Sequence, residues 1–405
     1  MLKTYKYRLY PTRKQVEKLD WTLEACRVLY NSSLVDRNRH YEETGKGLSR
    51  IDQQKILVKD KKNISYLTDI HSQVLQDVLF RVEKAYKAFF RRLKEKKGKA
   101  GYPRFKNMGR YDSITYTQSG FKIDVDGKLA LSKIGHIKLK QHRNINGIIK
   151  TCNIKKEIGK WYVCLSVEYA PAAKKTVINS VLGIDVGLSS FATLSDGTTI
   201  DNPRHLRKAE EKLIKKQKQL SSKKKGSNNR KKARMAVAIA HKKVSNQRKD
   251  FQHKASRRIV DTYDAVGAEG LQIRNMVKNH CLSKSISDAG WGQFLSFIEY
   301  KAEEAGILFL RVNPRNTSQE CICGTSVPKT LSDRIHSCPS CGLTAPRDYV
   351  SALVVKQRAI NKIRQELPEY TLVETGSMDD IGYGDIAALK SIPSLKQEAY
   401  QFINR

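Results

Sequence analysis

Apolar and basic positions alternate along residues 1–10, with Tyr5, Tyr7 and Leu9 set against Lys3, Lys6 and Arg8, and the run ends at Pro11. That period of two predicts a strand. The period then changes: Val16, Leu19, Leu23, Cys26 and Tyr30 recur at helical spacing and form one apolar face. A second helix of this kind carries Val74, Leu75, Leu79, Val82, Tyr86, Phe89 and Phe90, and its far end runs into RRLKEKKGKAGYPRFK. That basic stretch, broken by Gly and Pro, reads either as a solvated helix end with a turn or as a loop that contacts phosphate. From about 112 to 170 the chain falls into short β-like runs, ITYTQ, FKIDV, HIKLK, IIKTCNIKKE and WYVCLSVEYA. Gly and Asn turns separate them, which predicts a small barrel or sheet. PAAKKT at 171–176 reads as a linker. After it, VLGIDVGLSSFATLSDGT gives two apolar runs split by a Gly turn and opens a new sheet-based domain.

Charge changes the picture more than composition does. Apolar residues make up 40% of the 405, enough for a folded chain of two or three domains. Lys and Arg number 76 against 40 Asp and Glu, a net charge of +36. Self-repulsion on that scale opposes folding, so a polyanionic partner is expected, and it favours the phosphate-contacting reading of the basic stretch. Anionic membrane is the rival polyanion. The start MLKTYKYRLYP holds no apolar signal region, however, and no stretch reaches the length of a membrane span. The expectation is a soluble, cytoplasmic, nucleoid-associated protein with nucleic acid as its partner and no membrane. Residues 204–249 concentrate the charge, with eighteen Lys and Arg against Glu210 and Glu211. Helical spacing on both sides of SSKKKGSNNRKK predicts a basic helical hairpin with Lys223, Lys224, Lys225 and Arg230 at its turn.

Three acids stand out by context. Asp185 sits in GIDVG between Ile184 and Val186, and Glu269 ends the strand-like run YDAVGAEGL. A carboxylate among apolar strand neighbours is expensive unless it meets a cation or a donor. Asp348 opens the amphipathic stretch DYVSALVVKQRAI, at a helix start where the dipole favours its charge. Such a set suits a two-metal phosphodiester site, with Mg²⁺ ions about 3.5–4 Å apart. Taken singly, Asp185 reads equally as a turn-side strand acid and Asp348 as a helix cap. Four of the eight cysteines cluster in CICGTSVPKTLSDRIHSCPSCG. Cys338-x-x-Cys341-Gly is a zinc knuckle, whereas Cys321-x-Cys323-Gly has one residue fewer between its thiols, and His336 is close enough in sequence to substitute. Structural Zn²⁺ is expected, with free buried thiols as the alternative.

In order along the chain come YKYRLYPTRKQ, CRVLYN, AYKAFFRRLK, GYPRFK, GIDVGLSSFATLSDG, the basic hairpin and KDFQHKASRRIVDTYDAVGAEGL. NMVKN, SKSISDAGWGQF, TSQECICG, CPSCG, RDYVSA and the tail SLKQEA follow. This series resembles TnpB, the transposon-encoded RNA-guided DNA endonucleases regarded as ancestral to the type V CRISPR effectors, nearly end to end. The resemblance implies a mixed fold, α/β with all-β and helical parts. A wedge-like β-barrel would span 1–10 and 108–177, interrupted by a helical recognition domain at 11–107. A RuvC-like nuclease domain of RNase H fold would span 178–405, with the hairpin and a zinc-ribbon-like insertion at 315–345. It implies Asp185, Glu269 and Asp348 as the Mg²⁺-binding acids, a guide RNA from the transposon end, and a short motif read beside the DNA target. On the same grounds Ser72, Gln76, Thr117 and Gln118 fall where that motif is read, or are simply exposed polar residues. Arg104, Phe105 and Lys106 fall where RNA is touched.

The sequence departs from the family in two places. The first knuckle is C-x-C, and Pro346-Arg347-Asp348-Tyr349-Val350-Ser351 lacks the usual preceding Asp and carries Val350 where Asn is usual. Relatives that have lost nuclease acids act as RNA-guided repressors, which makes cleavage-deficient DNA binding the alternative function. A transposase that joins DNA ends itself, without RNA, is a third reading.

Overall fold

The alternation at the start of the chain becomes strand β1 (Leu2–Tyr10), which buries Tyr5, Tyr7 and Leu9. In this computed structural model, residues 1–95, 100–330 and 332–373 are described. The tail motif SLKQEA, the rest of the expected nuclease domain beyond 373, and residues 96–99 of the basic stretch lie outside them. The chain divides into two compact units, Met1–Ala170 and Pro171–Arg405.

In the first unit a capping box between Thr12 and Gln15 starts helix α1 (Arg13–Thr44), and Gly45, at φ 68°, ends it. Helices α2 (Arg50–Asn63), α3 (Ser65–Thr68) and α4 (Ser72–Glu95) follow. Leu19, Leu23 and Cys26 of α1 and Val74, Leu75, Val78 and Leu79 of α4 belong to the core that also contains the inner face of the sheet. Phe90, expected on the apolar face of α4, is exposed instead, with its ring beside those of Tyr86 and Phe89. The strands are β2 (Ser113–Tyr116), β3 (Phe121–Ile123), β4 (Lys128–Leu131), β5 (Gly135–Lys140), β6 (Ile148–Glu157) and β7 (Lys160–Glu168). Their order is β2-β6-β7-β1-β5-β4-β3, with every pair antiparallel. β1 is therefore central, paired with β7 along nearly its whole length. Among the described residues β2 and β3 are the outer strands of this order.

The second unit begins earlier than the sequence suggests. PAAKKT is no free linker: Ala172 and Lys175 donate backbone bonds to Glu304 and Gly306, and Lys175 pairs with Asp264 at 2.9 Å. Strand β8 (Val177–Ile178), which straddles the expected boundary between barrel and nuclease domain, pairs inside this unit with the last strand described. β9 (Val181–Val186), β10 (Ser190–Leu194) and β11 (Thr199–Asp201) form an antiparallel meander. The basic hairpin is α5 (His205–Ser221) and α6 (Asn228–Thr262), the second helix running well past the expected end at 249. Then come β12 (Ala265–Glu269), α7 (Ile273–Met276), α8 (Ser283–Ala289), α9 (Trp291–Ala305) and β13 (Leu308–Val312). The sheet order is β11-β10-β9-β12-β13, and β9, β12 and β13 run parallel. β14 (Ile335–Ser337), β15 (Thr344–Pro346), α10 (Arg347–Glu366) and β16 (Thr371–Leu372) complete the described chain.

Two glycines let α10 lie directly on the central strands. Gly183 of β9 and Gly267 of β12 are register partners. A Cβ on Gly183 would stand 2.1 Å from the Ala352 carbonyl oxygen, and one on Gly267 would stand 2.7 Å from Ala359 Cβ. Only hydrogen at both positions allows the helix backbone this close approach, and the approach fixes where the first turn of α10 sits.

Candidate active site

Asp185 is the second-last residue of β9, and Glu269 is the last residue of its parallel neighbour β12. Ala268 pairs with Ile184, so one step further Glu269 stands level with Asp185. Level residues of adjacent strands share a face, so both carboxylates leave the same end and side of the sheet. Asp348 joins them from the second position of α10, whose N-cap is Pro346, so Asp348 is not the helix cap. A Cβ on Gly187, two residues past Asp185, would lie 3.9 Å from Asp348 Oδ2.

The electrostatics of the acids follow from this placement. Burial first, then the nearby charges of Glu269 and Asp348, raise the Asp185 carboxyl well above the usual Asp range, with Arg347 pulling the other way. Burial also raises Glu269, opposed by the Thr317 hydroxyl, which donates to Glu269 Oε1, and by Arg358. The protein cations nearby are already engaged. Arg347 Nε lies 3.5 Å from Asp348 Oδ1, and Arg358 donates to Glu320 at 2.6 Å and to the Asn313 carbonyl at 2.5 Å. Three carboxylates held this way repel one another unless a cation sits among them. They do not converge as tightly as the cysteines, whose ligand atoms alone among the described residues all lie within 4.8 Å of one another.

The four cysteines meet despite the short first step. Cys321 and Cys341 sulfurs are 3.5 Å apart, and those of Cys323 and Cys338 are 3.7 Å apart. These are too long for disulfides and close to the edge of a tetrahedron with metal–sulfur bonds of about 2.3 Å. Gly324 (φ 85°) donates to the Cys321 carbonyl and Gly342 (φ 73°) to the Cys338 carbonyl, so each knuckle turns on a left-handed glycine. The first simply closes one residue sooner. Burial raises the Cys321 thiol. At Cys323 burial is outweighed by hydrogen bonds from Thr325 and the neighbouring thiols, which bring that thiol down to about 6. His336 is not a fifth donor. Fully buried in β14, it turns Nδ1 to the Lys329 ammonium, and desolvation with that charge lowers it to about 4. Val350 is buried in one apolar cluster with Cys321, Cys338 and Leu343, so the side chain in place of the usual Asn roots the cysteine insertion on α10.

The remaining expected residues fall in three places. Ser72 and Gln76 are exposed on the first turns of α4, and Thr117 and Gln118 follow β2. Gln73, which the sequence reading passed over, joins the two. Its Oε1 accepts from Thr117 Oγ1 (3.2 Å) and from the backbone N–H groups of Gln118 (2.8 Å) and Ser119 (2.9 Å). Arg104 and Phe105 are exposed, while the Lys106 backbone is clamped by Arg27 and Asn31 of α1. Lys223, Lys224 and Lys225 are exposed at the hairpin turn; Arg230 instead donates to the carbonyls of Leu220 and Lys223 and holds that turn together. Thr317 was also missed, although it lies in the TSQECICG motif four residues before Cys321.

Three families of known proteins match segments of the chain. A family described as "Probable transposase" matches residues 163–280, and "Cas12f1-like, TNB domain" matches 291–355, which contains all four cysteines. A "Helix-turn-helix domain" family matches 1–46, where this chain forms one strand and one long helix. A protein of Escherichia coli (strain K12) named "Putative RNA-guided DNA endonuclease InsQ" is 31% identical over 371 residues, covering 87% of this chain and 90% of that one. One of Streptomyces pristinaespiralis with the same description is 34% identical over 364 residues, covering 86% and 87%. The CRISPR-associated endodeoxyribonuclease Cas12f1 of Sulfoacidibacillus thermotolerans is 26% identical over 220 residues, 51% of this chain and 52% of its own. The solved mini-RNA-guided endonuclease CRISPR-Cas_phi3 covers 89% of this chain and 92% of its own at 10% identity and a TM-score of 0.49, too loose a superposition to refine the fold.

Proposed function

The chain belongs to the TnpB family, and we propose that it is an RNA-guided, Mg²⁺-dependent DNA endonuclease that cuts at a RuvC-like site made by Asp185, Glu269 and Asp348. The observation that carries this reading is the placement of three carboxylates from β9, β12 and α10 at one end of the sheet, where burial first, and the charges of Glu269 and Asp348 next, hold the Asp185 carboxyl above its usual range. A site that penalises its own ionisation is suited to divalent cations. Asp185, Glu269 and Asp348 would hold the Mg²⁺, which when bound would supply an activated water and charge stabilisation for phosphodiester hydrolysis.

The chain's own residues set the geometry. Gly183 and Gly267 bring α10 down onto the sheet and so place Asp348. Thr317 orients the Glu269 carboxylate. The cysteine insertion, with Zn²⁺ held by Cys321, Cys323, Cys338 and Cys341, stiffens the approach to α10 through Val350. The guide RNA, transcribed from the transposon end, supplies sequence specificity by base pairing, and the exposed basic surface holds backbone. The α4 start and the 117–119 loop, joined by Gln73, would read the target-adjacent motif. The described residues contain no helix long and apolar enough to cross a membrane, and guide RNA and target DNA as partners support a location with the chromosome. All three acids are present, which favours cutting over the repressor function.

The test is to purify the chain after co-expression with its flanking transposon sequence and to sequence the RNA that comes with it. The complex is then offered DNA matching the guide in Mg²⁺. Cutting that needs the matching sequence and disappears after ribonuclease treatment supports the proposal. Cutting or end joining that survives ribonuclease would overturn it in favour of a transposase.

A further inference from the structure

One cleft of about 500 Å³ is lined in part by the residues that follow the acid-bearing strand β9. Its wall includes Leu188 and Ser189, directly after Gly187, the residue whose missing Cβ faces Asp348. The opposite side is the start of α5, with Arg204 and Arg207, and Lys284 of α8. Two acids also line the cleft, but both are neutralised in place. Glu210 pairs with Lys284, and Asp288 pairs with Arg248 at 2.9 Å while accepting from the Leu206 N–H at 3.0 Å. Among the described residues no hydrogen-bond or ion-pair partner meets the guanidinium of Arg204 or Arg207, and both side chains are exposed. The unspent charge of the cleft is therefore positive.

The backbone is also held in an unusual way. Arg204 lies in the left-handed region (φ 48°, ψ 48°), which a long side chain rarely occupies. Asn202 enforces it: its Oδ1 accepts from the Arg204 N–H at 3.2 Å, while its Nδ2 donates to the Leu188 carbonyl at 3.0 Å. The same side chain thus fixes the loop beside the acids and aims the arginine across from it.

We propose that this cleft grips the backbone of the single DNA strand being cut, with Arg204 and Arg207 each taking a phosphate next to the scissile one. The assignment rests on the nuclease reading for the identity of the strand. The cleft is the size of a small-molecule pocket, which suits a nucleotide or two of one strand. Planar guanidinium groups with free donors suit phosphate oxygens.

The test uses guide-loaded protein already bound to target DNA, so that the rest of the basic surface is covered. A fluorescent ten-nucleotide oligothymidylate is titrated in at several salt concentrations and followed by anisotropy. Arg204→Asn removes the charge while tolerating the left-handed backbone, and it is combined with Arg207→Ala. Losing two phosphate contacts should flatten the plot of log affinity against log salt by about 1.4, at about 0.7 per contact for single strands. Arg204→Lys with Arg207→Lys should keep most of the slope. Cleavage at equal target occupancy should fall about tenfold or more in the double variant, with guide-RNA affinity unchanged. An unchanged salt slope overturns the proposal, as does an equal loss for an oligoribonucleotide that outcompetes the DNA. Because the slope is read without cutting, an uncut target would refute the nuclease reading and leave this result standing by itself.

Discussion

Thr317 gives its hydroxyl to Glu269, and both groups are buried. Thr317→Val keeps the volume, removes the donor and leaves a buried carboxylate oxygen without its partner. Cleavage by the guide-loaded protein should fall about 10–100-fold, as for other partners that orient a metal-binding carboxylate, and Thr317→Ser should recover most of it. Single-turnover cleavage beside target-binding affinity, which stays constant, checks this. Asp185 gives a pH prediction with a definite sign. Its folded pKa lies above the unfolded one, so the fold holds an extra proton between the two values. Stability without Mg²⁺ is then full below the ordinary Asp pKa and falls as pH rises through the raised one. Asp185→Asn should flatten that fall, raise the melting temperature at neutral pH in Mg²⁺-free buffer and abolish cleavage; calorimetry across pH checks it. The acids were legible in the sequence because each was anomalous in its own neighbourhood, a carboxylate among apolar strand residues or at a helix start. Thr317 and Gln73 were not, because each acquires its role from residues more than forty positions away that only folding brings near. His336 misled for the complementary reason. It lies two residues from Cys338, but strand alternation buries its ring, which meets Lys329 and stands outside the cysteine cluster.

At the scale of elements, the seating of α10 on β9 and β12 decides where Asp348 goes. Gly183→Ala places a methyl against the backbone of α10, not against a side chain that can move aside. Overpacking of this kind costs about 1–3 kcal/mol, visible as a lower urea midpoint. Cleavage should fall further than stability does, since the displaced helix carries a catalytic acid. Cys338→Ser should remove bound zinc, measured by atomic emission, and lower cleavage by unseating the cluster that packs on Val350. If fully active protein contains no zinc, the insertion is held by packing alone. Most elements could be read from periodicity. β4 could not, since KLAL is four residues between two turns, and α2 could not, since it buries only Gln53 and Leu57 and shows almost no apolar face. Closure of the first sheet was also not legible, because alternation shows which face is buried and says nothing about which edges pair.

For the whole molecule, a net charge of +36 governs behaviour before any site does. Free protein should melt higher as salt rises, because screening relieves self-repulsion. Bound guide RNA should raise the melting temperature more and reverse that salt dependence, since salt then competes with the phosphates. A thermal-shift series with and without RNA measures both. The charge itself was plain in the sequence; how it divides between pairs within the protein and free side chains was not. Arg230 looked like a nucleic-acid contact and holds its own turn, while Arg204 and Arg207 drew no separate notice and remain unspent.

The central claim is that one carboxylate triad cuts DNA that an RNA has selected. The most direct measurement compares target occupancy and strand scission for guide-loaded wild type and for Asp185→Ala, Glu269→Ala and Asp348→Ala in Mg²⁺. Occupancy should be equal in all four, with scission in the wild type alone. Equal cutting by wild type and Asp185→Ala, or full occupancy with no cutting by wild type, would contradict it.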